Sequence, residues 1–227
     1  MAGTVKIVGT GSYLPPFVVG SEELSVIIGQ KADKPGWIER ILGIRERRFA
    51  SPINPETGKV SQSVDEIGMA QCAAGEAMRA ARLETKEVDG LIYVTCTQEP
   101  TEHKHFSRSA IELHGRLMLR EDTFALEVDS GCGGVMQAVG IAEEMLQGGK
   151  RRNILITASN APSLFIDREL YVLTETWLSI YIFGDGAGAL LLQHHAPQDE
   201  KSGILATWYG ADYKNPLMYY HHKGKGQ

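Results

Sequence analysis

Phe124-Ala-Leu-Glu-Val-Asp-Ser-Gly-Cys-Gly-Gly-Val-Met-Gln-Ala-Val-Gly-Ile-Ala-Glu-Glu-Met-Leu146 decides the fold. It opens as an apolar strand over residues 124–128 and passes through Asp129-Ser130-Gly131. From about Cys132 its apolar residues, Val135, Val139, Ala142, Met145 and Leu146, recur at helical spacing. Cys132 therefore falls at a strand-to-helix junction, where unpaired backbone N–H groups and the helix dipole favour an anion. A thiol so placed is expected to ionise more readily than a free cysteine. Gly131, Gly133 and Gly134 leave room for backbone or a ligand to come close. Two readings of Cys132 stand at this point: an activated nucleophile, or a small buried residue in a tight turn.

Composition narrows the function. A chain of 227 residues, 43% hydrophobic and 22% charged, is long enough for one large domain or two small ones with a proper core. The formal charge of −5, with no basic run interleaved with aromatics, argues against a nucleic-acid-binding face. Cys72, Cys96 and Cys132 are odd in number and widely spaced. They fit a reducing compartment better than a disulfide framework, and no CxxC pair points to zinc. His103 and His105 lie two apart with no third ligand in view, so no metal site is expected. No leader is evident, and no apolar run approaches the ~20 residues that span a bilayer. A cytoplasmic protein with no membrane segment is the expectation.

Around the central stretch, Val5-Lys-Ile-Val8 reads as a strand. Gly9-Thr-Gly-Ser-Tyr-Leu-Pro-Pro16 reads as a turn, because the spacing of neither phosphate-loop pattern is completed. Ser21 is placed to cap a helix that begins with Glu22 and Glu23. Trp37 opens a helical segment that Gly43 stops. Arg45, Arg47 and Arg48 follow it, either as an attractor of phosphate or as a solvated face paired with Glu46. Residues 51–63 form a polar loop, and residues 65–82 the clearest amphipathic helix, its many alanines implying close packing. Residues 88–97 read as a strand covered on both faces, with Cys72 and Cys96 at core positions. A helix is expected over residues 106–119, with Ile111, Leu113 and Leu117 inward. A buried strand is expected over 153–158, and a lid or subunit contact over 159–176. Residues 180–192 read as strand, glycine turn and strand, and residues 203–209 as a further strand. The alternation of strands and helices predicts an α/β protein with a mainly parallel sheet between helices.

Four stretches together resemble β-ketoacyl-acyl-carrier-protein synthase III of the thiolase-like superfamily. They are Gly9-Thr-Gly-Ser-Tyr-Leu-Pro15, Trp37-Ile38 with Gly43-Ile-Arg-Glu-Arg47, the turn holding Cys132, and Phe183-Gly-Asp-Gly-Ala-Gly-Ala189. The resemblance implies an α-β-α-β-α layered sandwich made of two similar halves. By it, residues 1–178 form the half that carries the nucleophile, and residues 179–227 begin the second. It also implies that Cys132 takes an acyl group as a thioester and passes it on by decarboxylative condensation with malonyl-acyl-carrier protein. The acyl donor is coenzyme A or a carrier protein; the thioester is a substrate, and no tightly bound cofactor or metal is expected. Trp37 matches a residue that stacks on the adenine of coenzyme A. Phe106 matches one that reaches the partner's acyl pocket in a homodimer or heterodimer.

The chain departs from the pattern in three ways. The histidine and asparagine of the family's second half are absent from residues 1–227, and His221 and His222 lack the family context. Glu175-Thr-Trp177 stands where an arginine is expected, and Asp129-Ser-Gly precedes Cys132 in place of an alanine-rich run. Acyl transfer to another nucleophile without decarboxylation, or a non-catalytic partner subunit, therefore stand beside the condensing role.

Overall fold

The structure, a computed structural model, describes residues 3–27, 36–59, 65–96, 109–166, 181–196 and 202–210. It divides into two compact units, each discontinuous in sequence. The first comprises Met1–Tyr13, Glu66–Asn160 and Ala187–Gly210; the second takes in Leu14–Asp65 and Ala161–Gly186.

The first unit is a five-stranded sheet in the order β1-β7-β6-β4-β5. Its strands are β1 (Thr4–Tyr13), β4 (Gly90–Val94), β5 (Phe124–Val128), β6 (Asn153–Asn160) and β7 (Gly186–His195). β4 pairs in parallel with β5 on one side and β6 on the other, whereas β1 and β7 are antiparallel. Every residue of β4 is buried, as its unbroken apolar sequence predicts for a strand covered on both faces. On one face lie α3 (Glu66–Ala81) and α4 (Ser109–Arg116), packing Ala70, Ala73, Ala74, Ala77 and Leu113 on Leu91, Tyr93, Leu155 and Leu191. On the other, α5 (Gly134–Gln147) sets Ala138, Val139, Ala142 and Leu146 against Ile92, Val94, Ile154 and Ile156. Each fully buried aliphatic side chain here contributes about 1.5–3 kcal/mol.

The glycines before Tyr13 make no turn. They lie inside β1, which carries a bulge between Ile7 and Gly9. A Cβ on Gly9 would overlap the carbonyl oxygen of Ala77, and one on Gly11 that of Ala73. Glycine is needed because the backbone of α3 rests directly on the strand, which also explains the alanine-rich face of that helix.

The second unit pairs β2 (Phe17–Gly20) antiparallel with β3 (Glu46–Phe49). Beside them stand α1 (Ser21–Ile27) and α2 (Trp37–Leu42). Leu24, Ile38, Phe49, Ile166 and Tyr181 form its core. Gly43 ends α2 with φ of 69° and its N–H on the Glu39 carbonyl, as anticipated. Ser21 is not a cap: its hydroxyl donates to the Ile44 carbonyl, while the Glu23 carboxylate accepts from the Gly20 N–H.

Other expectations need correction. Residues 181–182 are helical rather than the end of a strand, so a single strand, β7, follows Asp185. β7 pairs with β1 in the first unit's sheet. Of residues 203–209 only Ile204 pairs, through an isolated bridge to Val5. Ile111 points outward, and Met145 is part-exposed. Most of residues 159–176, together with His103, His105, His221 and His222, lies outside the described residues.

Candidate active site

Three parallel strands end side by side in the first unit. Val94 of β4 is in register with Val128 of β5 and Ala158 of β6, so Thr95-Cys96 and Asp129-Ser130 follow their strands beside Ser159-Asn160, the last residues of β6. Beyond β5, Gly131 takes φ of 55°, a turn that side-chain-bearing residues resist. Residues Gly131–Gly133 form one 3₁₀ turn that runs directly into α5 at Gly134. Cys132 is in that turn, two positions before the first residue of α5, and it is exposed. The reading of Cys132 as a small buried residue is set aside. A Cβ on Gly134 would come within 2.7 Å of Val94 Cγ1, so the start of the helix lies hard against the end of β4.

Cys96 belongs to the same cluster, which its sequence context did not suggest. It lies just past β4 and is exposed; Cys72 is likewise exposed, on the outer face of α3. The Asn160 Oδ1 accepts from both the Cys96 N–H and its thiol, each at 3.0 Å. Beneath them is a buried polar network. Glu66 Oε1 accepts from Thr95 Oγ1 at 2.5 Å and Tyr93 OH at 3.1 Å, and Tyr93 OH meets Ser159 Oγ at 2.7 Å. Burial first, then the charge of Glu66, holds the Tyr93 hydroxyl well above its usual range, keeping it protonated. Desolvation raises the Cys96 thiol as well, reinforced by negative charge on Cys132, Asp129 and Glu66. Cys96 and Glu66 were missed because their sequence neighbours read as strand and helix, and Asn160 because it fell in the segment read as a lid or subunit contact; the rule that ligands meet the carboxyl ends of parallel strands could have found them.

The other predicted site residues are less fully placed. Trp37 is the first residue of α2, in the second unit, and its side chain is outside what the structure describes; Phe106 is outside it altogether. A cavity of about 240 Å³ near the start of α2 is lined by Glu22, Glu23, Glu39 and Arg45. Its carboxylates outnumber its cation, so it does not favour a phosphate.

The arginine cluster matches neither sequence reading. Arg45 pairs with Glu39, both exposed, rather than with Glu46. Arg47 is buried, donating to the Val19 carbonyl, Ser21 Oγ and the Tyr181 carbonyl at 3.0, 2.7 and 3.1 Å. Arg48 donates to the Pro15 carbonyl. In the Phe183-Gly-Asp-Gly-Ala-Gly-Ala189 motif, the buried Asp185 accepts from the Ala50 N–H and from both the N–H and hydroxyl of Ser163. These motif residues hold the second unit together.

A cavity of about 470 Å³ is lined by Asp89, Lys150, Arg151, Arg152, His194 and His195. It stands at the opposite end of the strands, before β4 and β6. Among the described residues, no three histidine, cysteine or acidic side chains are grouped to hold a metal. No described helix is long and apolar enough to cross a membrane.

A mixed, mainly parallel sheet, helices on both faces, and a cysteine in the turn that follows a parallel strand define a thiolase-like protein. Residues 126–213 match the family described as 3-oxoacyl-[acyl-carrier-protein (ACP)] synthase III. The β-ketoacyl-[acyl-carrier-protein] synthase III of Aquifex aeolicus is 32% identical over 202 residues, 89% of this chain and 56% of the relative. The solved 3-oxoacyl-[acyl-carrier-protein] synthase III structure from the same species superimposes with a TM-score of 0.64 at 30% identity, covering 86% of this chain and 55% of that one. The priming β-ketosynthase of the R1128 polyketide pathway gives 0.66 at 23% identity, over 86% and 51%, a likeness of fold alone. Along most of its length the chain is similar to β-ketoacyl-acyl-carrier-protein synthase III, and it spans about half the length of the curated relatives it matches.

Proposed function

We propose that Cys132 is the acyl acceptor of a type III condensing enzyme. Its thiolate attacks the carbonyl of an acyl thioester of coenzyme A or a carrier protein, and the donor's thiolate leaves. The backbone N–H of Cys132, at the start of the turn into α5, helps hold the oxyanion that forms between these events. In the second half-reaction, malonyl-acyl-carrier protein loses carbon dioxide. The resulting carbanion attacks the acyl carbonyl, and Cys132 is released. Trp37 is proposed to stack on the adenine of a coenzyme A donor, and Phe106 to reach the acyl pocket of the partner in a dimer. The histidine and asparagine that the resemblance assigns to the family's second half are not among residues 1–227.

The observation that carries the reading is the exposed sulfur at the end of a parallel strand, inside the segment matched by the family. The test is intact-mass measurement after incubation with acyl-coenzyme A or acyl-carrier protein. A mass gain of one acyl group, abolished by Cys132→Ala, is expected. No gain with any donor overturns the reading. Loss of the acyl group to an acceptor without release of carbon dioxide would replace condensation by simple transfer.

A further inference from the structure

We infer that Cys96 is the resolving partner of Cys132, and that the two thiols form a reversible disulfide across the ends of β4 and β5 that shuts off acyl loading. The inference rests on the assignment of Cys132 as the acyl acceptor and adds a modification site to it.

The placement comes from three independent contacts. First, β4 and β5 are adjacent parallel strands in register at Val94 and Val128, with the Thr95 N–H donating to the Val128 carbonyl at 3.4 Å. Strands so paired run about 4.8 Å apart, and their register carries Cys96 toward Ser130, two residues before Cys132, within reach of Cα separations that a disulfide bridges. Second, the turn after β5 folds back over β4. Gly134 is so close to Val94 that a Cβ would clash, which brings the turn of residues 131–133 to the end of β4, where Cys96 follows Val94 by two residues. Third, Asn160 holds both the backbone N–H and the sulfur of Cys96, so the thiol is tethered at the strand end rather than free to swing away. Desolvation first, then negative charge on Cys132, raises the Cys96 thiol, in keeping with this placement. Both are exposed, so an oxidant in solvent can reach them. Because its pKa is raised, Cys96 gives up its proton only as its sulfur attacks in the resolving step.

With hydrogen peroxide as the oxidant, the Cys132 thiolate attacks the peroxide. The O–O bond breaks, hydroxide leaves, and a sulfenic acid forms on Cys132. The Cys96 sulfur then attacks the sulfenic sulfur. The S–S bond forms, the S–O bond breaks, and the hydroxyl leaves as water with the Cys96 proton. The two thiols supply the two electrons that reduce the peroxide. The sulfur that would take the acyl group is then engaged, and a dithiol reductant returns it. Without Cys96, the sulfenic acid remains open to further oxidation to sulfinic acid, which reductant does not reverse.

The experiment treats the full chain with hydrogen peroxide, maps peptides without reduction, and measures acyl loading before oxidation, after it, and after reduction. A Cys96–Cys132 linked peptide is expected, with Cys72 free, loading lost on oxidation and recovered on reduction. Cys96→Ser keeps a hydroxyl donor for Asn160 and is expected to load when reduced, but to lose loading irreversibly after peroxide. Cys72→Ser is expected to behave as the parent. A Cys132 that oxidises without linking to Cys96, resists oxidation, or recovers equally well in Cys96→Ser overturns the inference. The linked peptide is read by mass whether or not acylation occurs. Failure of loading in the reduced protein would therefore count against the acyl-acceptor reading alone.

Discussion

The strand ends around Cys132 and the arginine–aspartate core of the second unit both come from stretches that resemble the same family, yet they are built in opposite ways. Around Cys132 the backbone is bent by Gly131 and the sulfur is exposed. Around Arg47 and Asp185 the charged groups are buried and held by three hydrogen bonds each. A reactive group needs an approach for its substrate. A structural charge is kept in the interior by such bonds, because leaving them unmade costs more than they contribute; at Arg47 both terminal nitrogens are bonded and Nε alone lacks a partner. Resemblance of sequence does not separate the two; exposure and hydrogen bonding do.

The comparison is broken most directly at Arg47. Arg47→Met removes the donors from two carbonyls and the Ser21 hydroxyl and is expected to cost about 3 kcal/mol. Urea denaturation would show this as a lower midpoint, with Cys132 acylation unchanged under conditions where the variant remains folded. A loss smaller than that of an ordinary surface change would remove Arg47 from the scaffold. In the first unit, Gly11→Ala forces a Cβ into the Ala73 carbonyl and is expected to cost roughly 1–3 kcal/mol. Thermal melting checks this, and an unchanged melting temperature would show that α3 does not rest on β1.

Asp185 sharpens the contrast through pH. Burial raises its carboxyl above the ordinary carboxylate value, because the hydrogen bonds from Ala50 and Ser163 offset desolvation only in part. The folded state then binds this proton more tightly than the unfolded chain. Its cost is present in full above the folded pKa and is relieved as pH falls through that value toward the unfolded value near 3.8. Asp89 has the opposite sign. Burial opposes ionisation, but the Arg152 and Asn153 N–H groups and Arg120 outweigh it and lower the pKa. Its contribution is present above the unfolded value and lost as pH falls through the folded one. Comparing acid denaturation of Asp185→Asn and Asp89→Asn is expected to flatten the profile in opposite directions; parallel changes would contradict these assignments. Asp185→Asn also turns one acceptor into a donor facing the Ala50 or Ser163 N–H, and is expected to lose about 1–3 kcal/mol at neutral pH. The smallest effect belongs to Arg45. Its partner Glu39 is exposed, and Arg45→Ala is expected to leave the melting temperature unchanged.

Much of this architecture was legible in the residues. The apolar run of β4, the periodicity of α3 and α5 and the glycine stop after α2 are local patterns that tertiary packing did not override. The turn holding Cys132 was legible too, because the change from strand to helical period occurs within a few residues. What was not legible depends on contacts distant in sequence. Gly9 and Gly11 read as a turn until α3 is laid on them. Arg47 reads as a surface charge until Val19 and Tyr181 surround it. Cys96 reads as core because the strand's pattern gives no sign of where the sheet ends, and its place beyond the end of β4, alongside the end of β5, exists only once the two strands pair.

The central claim concerns which sulfur carries the acyl group. The direct measurement is peptide mapping of the reduced chain after brief exposure to an acyl-thioester donor, resolving Cys72, Cys96 and Cys132 separately. The account predicts acyl label on Cys132 well before the other two, although all three are exposed. Equal labelling of the three, or label on Cys96 or Cys72 with Cys132 unmodified, would contradict it.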